Sequence, residues 1–159
     1  MHGASRCARR RPSQSGVGLI EVLVAVLVLS IAFLGIAALQ AMSMSTNNSA
    51  MARSMATIAS YSILDAMRAD TAAAKTGGYN KTVKASACPA AAGSLVDAQL
   101  NQWCTQLGHS LGAATTTTGA IDCKAIDATA DCTVTITFDD SRAGVGGSSI
   151  QKVITRAML

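Results

Sequence analysis

Gly16-Val17-Gly18-Leu19-Ile20-Glu21-Val22-Leu23-Val24-Ala25 opens the stretch on which the fold turns. Residues 22–39 carry no charge and nothing more polar than Ser30. As a helix rising ~1.5 Å per residue this run spans about 27 Å, close to the hydrocarbon thickness of a bilayer. Upstream lie Arg6, Arg9, Arg10 and Arg11, followed by Pro12. By the positive-inside rule this basic, helix-poor leader stays cytoplasmic and the rest of the chain faces outward. A secretory signal also pairs a basic start with an apolar run, but its apolar region is usually only about 7–15 residues long and ends at an A-x-A site. Here the run is longer and no such site follows closely. Glu21 is a further difference, because a carboxylate at mid-membrane costs roughly 2.5–3.5 kcal/mol and needs compensation.

The ten residues from Gly16 to Ala25 resemble the class III signal of type IV pilins and pseudopilins. The resemblance implies that a membrane-embedded prepilin peptidase cuts between Gly16 and Val17 and N-methylates Val17, which makes Glu21 the fifth mature residue. Val17 stands where the family more often has Phe or Met, and Gly18 where Ser or Thr is usual. The physical logic can be stated from the residues. Cleavage exposes a cationic amine on Val17, and Glu21 lies about one helical turn away, ~6 Å along the axis. In a bundle of such helices the amine of a neighbouring subunit would neutralise Glu21, which sets register and compensates burial. Glu21 is therefore the candidate assembly residue.

The leader also explains two features of the composition. The formal charge of +4 comes entirely from the four leader arginines, and beyond residue 16 nine Lys/Arg balance nine Asp/Glu. No basic run interleaved with aromatics remains, which argues against nucleic-acid binding. Of five cysteines, Cys7 goes with the leader, and Cys88, Cys104, Cys123 and Cys132 form an even set suited to two disulfides in an oxidising compartment. Three connectivities are open; the preferred one staples a hairpin with Cys123–Cys132 and ties a loop to a helix with Cys88–Cys104. The set has no C-x-x-C knuckle and only His109 nearby as a nitrogen donor, so neither a metal nor a cofactor is expected.

Helical character continues past the apolar run, since residues 40–74 contain no Pro or Gly. One helix from about residue 18 to residue 74 is predicted. Met44, Met51, Met55 and Ile58 share a face, and thioethers at this spacing read as core filler. Ile63 and Met67 extend an adjacent stripe. Ser94 is a helix N-cap with Asp97 at its third position, and Val96, Leu100, Trp103, Leu107 and Leu111 follow at helical spacing. Period-two alternation over residues 132–138 marks the clearest strand, with further strands expected over 120–124 and 150–158. The expected fold is α+β: a pilin-like long N-terminal helix, its first half membrane-spanning, with a small antiparallel sheet head. The domain reading is a leader at 1–16, a transmembrane and assembly half at 17–42, a head-packed half at 43–74 and the disulfide-containing head at 75–159.

The segments Leu34-Gly35-Ile36-Ala37-Ala38-Leu39-Gln40 and Ser60-Tyr61-Ser62-Ile63-Leu64-Asp65-Ala66-Met67-Arg68-Ala69-Asp70 resemble the matching parts of PilV-type minor pilins. The likeness to this family covers residues 16–70. It implies a non-catalytic pilus subunit, held by one span in the bacterial inner membrane with a periplasmic head, then incorporated in the pilus. Its partners would be prepilin peptidase, other minor pilins, the major pilin and a possible tip adhesin, in support of twitching and adhesion. The alternatives are a minor pseudopilin of a type II secretion system and a single-pass anchored binding module. No G-x-S-x-G, P-loop or other catalytic constellation is present, so no enzyme is expected.

Overall fold

The structure is a computed structural model that describes residues 16, 18–91, 93–143 and 147–159. Two compact units divide between Gln40 and Ala41. Helix α1 (Leu19–Ala69, 51 residues) contributes to both, and each unit is taken by itself.

In the first unit every described residue is solvent-exposed. Leu23, Val26, Leu27 and Phe33 are among the large apolar side chains that bury against nothing in the chain. Of the described helices, only α1 is long and apolar enough to cross a membrane. The hydroxyl of Ser30 donates to the Val26 carbonyl at 2.7 Å, so the one polar side chain of the run is satisfied inside the helix. An apolar surface this continuous requires lipid or other helices as its solvent.

The second unit is α+β. After the turns of α1 come α2 (Thr71–Lys75), β1 (Thr82–Lys84), α3 (Leu95–Leu111), β2 (Thr118–Ile126), β3 (Thr129–Phe138), a 3₁₀ turn (Ser141–Ala143) and β4 (Gln151–Met158). The strands form one antiparallel sheet in the order β1-β2-β3-β4. A single core joins α1, α3 and the inner sheet face: Ala56, Ala59, Ile63, Leu64 and Met67 from α1, Leu100, Trp103 and Leu107 from α3, and Ile121, Val134, Ile136 and Phe138 from the strands.

The methionine face departs from expectation. Met44, Met51, Met55 and Ile58 are all exposed, Met44 by 68%. The buried face of α1 is the one made by Ser49, Ala56, Ala59, Ser60, Ile63, Leu64 and Met67. Its N-terminal part is small for a physical reason: the Trp103 indole N–H donates to the Ala59 carbonyl at 2.9 Å, which demands close approach of the indole to the α1 backbone. Bulky thioethers on that face would hold the indole away.

The long helix also ends earlier than periodicity suggests. Asp70 leaves helical geometry (φ −132°, ψ 61°), and its carboxylate accepts from the Ala73 N–H at 3.3 Å to cap α2. A short polar side chain that bonds its own downstream backbone competes with helix continuation. Gly77, with φ +75°, then supplies the left-handed turn after α2.

Ser94 caps α3 by accepting from the Asp97 N–H at 3.1 Å, while its hydroxyl donates to the Asp97 carboxylate at 2.7 Å. That hydroxyl, and then Lys81 at 3.0 Å, hold the Asp97 carboxyl below the usual Asp range. A lowered folded-state value means the stabilisation is present above the ordinary Asp value of about 3.9 and is lost as pH falls through the lowered one. In a carboxyl ¹³C titration Asp97 should show a midpoint below the usual range, and Ser94→Ala should move it upward; an unmoved midpoint would refute the coupling.

Candidate functional site

The candidate assembly segment lies at the start of α1. The Gly18 carbonyl accepts from the N–H groups of Glu21 (2.9 Å) and Val22 (3.3 Å), so the first helical bonds form there. Gly16 and Gly18 are exposed. Val17, as candidate cleavage and methylation position, and residues 1–15 of the candidate leader at 1–16 lie outside the described residues. Glu21 occupies the first turn of α1 and is exposed. The positive end of the helix dipole favours a carboxylate at such a position by about 0.3–1 kcal/mol, which offsets part of the cost of placing it near hydrocarbon. Glu21, Ala25 and Leu29 line one shallow groove together with Val22 and Val26. The carboxylate is therefore the single anionic feature on an otherwise apolar helix face, and a cationic group presented at that face would find both charge and a close-packing surface.

In the second unit the structure brings together groups that the sequence separates widely. The Ser49 hydroxyl donates to the Asp140 carboxylate at 2.5 Å across 91 positions. Ser45 donates to the Ala143 carbonyl at 2.8 Å, and Arg53 approaches Asp140 (3.9 Å) and donates to Gln151 Oε1 (3.3 Å). The segment after β3 is thereby clamped onto α1. Serines on a helix otherwise rich in Ala were the only signal for this clamp, and nothing in the local pattern marks Asp140 as their partner.

Disulfides join Cys88 to Cys104 and Cys123 to Cys132. The second connects residues that the β2–β3 register already places opposite each other. His109 and Cys88 lie along an open depression with Ala85, Thr105, Gly108 and Ala113. Among the described residues no three His, Cys, Asp or Glu side chains converge as a metal site. Asp65 and Arg68 form a surface pair at 2.6 Å, one helical turn apart, which stabilises a solvated face.

Residues 11–37 match the family described as the prokaryotic N-terminal methylation motif. No curated protein matches the chain. No solved structure matches it either. The motif supports a prepilin-like reading of the type IV pilin or pseudopilin kind; proteins of that class are structural subunits processed by prepilin peptidase and assembled with other pilins.

Proposed function

We propose that the chain is a minor pilin of the type IV pilus, of the PilV type, and that it helps to prime filament assembly near the tip, in support of twitching and adhesion. Prepilin peptidase removes residues 1–16 and methylates Val17, residues 17–42 anchor the subunit in the inner membrane and later in the filament, and residues 43–159 form the periplasmic head. The observation that carries this reading is the methylation motif at 11–37 leading into an exposed apolar helix whose first turn holds one carboxylate, Glu21. The PilV assignment is supported by the likeness at residues 34–40 and 60–70. A minor pseudopilin of a type II secretion system has the same processing and fold, so the motif favours it equally at the level of the superfamily.

The test has two arms. Gly16→Val should leave uncleaved precursor on an immunoblot, whereas Glu21→Ala should be cleaved yet enter sheared filaments about tenfold less, as expected for loss of one compensating ion pair worth roughly 1.4 kcal/mol. Unchanged incorporation of Glu21→Ala would remove the assembly role and leave an anchored binding module. Deletion of the gene should reduce surface pili with secreted hydrolases unaffected; loss of secretion with normal piliation would assign the chain to the secretion system.

A further inference from the structure

The two edges of the sheet are unequal. At one edge β1 has three residues. At the other, β4 has eight, and no described residue pairs with its outer side. Ala130 and Leu159 exchange both backbone hydrogen bonds at 2.9 Å, which sets the alternation of the β3–β4 ladder. Residues 151, 153, 155, 157 and 159 therefore turn their N–H and C=O groups toward β3. Lys152, Ile154, Arg156 and Met158 turn theirs outward, and these groups have no partner among the described residues. The side chains of Ile150, Ile154 and Met158 are 65%, 63% and 56% exposed. A long edge strand with exposed apolar side chains is a template for pairing, which proteins ordinarily shorten, cover or occupy.

Charge decides the occupant. A row across the outer sheet face runs Lys84, Thr118, Thr137, Lys152. Arg156 is paired with Asp131 at 2.5 Å, but Lys152 has no ion-pair partner among the described residues. Self-pairing of two β4 strands centred on Ile154 would set Lys152 of one copy directly opposite Arg156 of the other, a cation already engaged by Asp131, so a second copy in that register offers Lys152 no counter-charge. On the inner side, Val153 and Ala157 are half-buried against the core and would extend their apolar surface to a neighbouring strand. We propose that the free edge of β4 is a strand-addition site for an extended segment of another protein chain, with acidic side chains alternating with apolar ones. This holds whether the assembly is a pilus or a secretion system, and it does not depend on Glu21.

The test is amide hydrogen exchange by NMR on the full chain in detergent micelles, with a synthetic peptide of alternating Glu and Val as probe and one of alternating Lys and Val as control. The Glu–Val peptide should raise protection of the Lys152, Ile154, Arg156 and Met158 amides by about tenfold or more, and the control should not. Ile154→Pro removes an outward N–H without touching the bonds to β3, a position where an edge strand tolerates proline, and should abolish the effect. Lys152→Glu keeps every backbone bond and should switch the preference to the Lys–Val peptide, so the test does not hang on the proline variant folding. Equal protection by both peptides, no protection by either, or protection that rises with protein concentration alone would overturn the proposal, the last by making a second copy the occupant.

Discussion

Gly119→Val is expected to lower the melting temperature of the head by roughly 10 °C or more, as the overpacking of a filled site costs about 3 kcal/mol. A Cβ on Gly119 would stand 2.4 Å from Trp103 Cη2 and 2.8 Å from both Trp103 Cζ3 and Leu107 Cδ1. The indole cannot easily retreat, because it is 2% exposed and its N–H is bound to the Ala59 carbonyl. Gly119 also sits opposite Ile136 in the β2–β3 ladder, so moving β2 would disturb the centre of the sheet. Trp103 is the only tryptophan in the chain, and its fluorescence during a thermal melt of the full protein in detergent therefore reports this contact directly. Adding Trp103→Phe to a Gly119→Ala background should recover part of the loss, a coupling between contacting residues that separate substitutions would not show. A Gly119→Val protein that melts with the parent would mean the indole does not lie over this strand.

Removal of the Cys88–Cys104 bridge as the double alanine variant is expected to cost about 3 kcal/mol in urea unfolding, within the range usual for a native disulfide. Cys104 is fully buried on α3. The segment after β1 that carries Cys88 has few other ties to that helix, among them the bond from Asn101 Nδ2 to the Pro89 carbonyl at 2.7 Å. Without the bridge that segment loses its main anchor. The Cys123–Cys132 pair should cost less when replaced in the same way, because its residues are nine apart and the β2–β3 ladder already holds them opposite one another. The ranking is the informative result; a larger loss for the Cys123–Cys132 variant would mean that the ladder depends on the bridge instead of supporting it.

How far the fold was legible varies with how local its cause is. The apolar run at 22–39, the spacing from Val96 to Leu111 and the alternation at 132–138 each reveal an element, since helix and strand periods are written in consecutive residues. β1 escaped because three residues carry too little period to read. The methionine face misled for a different reason. Periodicity shows which side chains share a face, and it is silent on which face meets the rest of the protein. At α1 two faces competed, and the smaller side chains won because an indole had to reach a backbone carbonyl. The candidate assembly site is the opposite case: Gly16, Val17 and Glu21 are neighbours in the chain, so their spacing alone suggests them. The Ser49–Asp140 clamp joins residues 91 positions apart and has no local signature at all.

The amino-acid sequence by itself determined that this protein has four arginines ahead of an apolar helix fit to span a bilayer, one carboxylate in the first turn of that helix, and an even set of four cysteines beyond it. Those properties depend on composition and on spacings of a few residues. Only the tertiary structure decided that Ala56 and Ala59, and not Met44, Met51 and Met55, face the core, that Gly119 lies under Trp103, and that β4 ends the sheet with the outward backbone groups of residues 152, 154, 156 and 158 unpaired among the described residues. Each of these is a relation between surfaces brought together by chain segments far apart, and close packing chooses among faces that local pattern leaves equivalent.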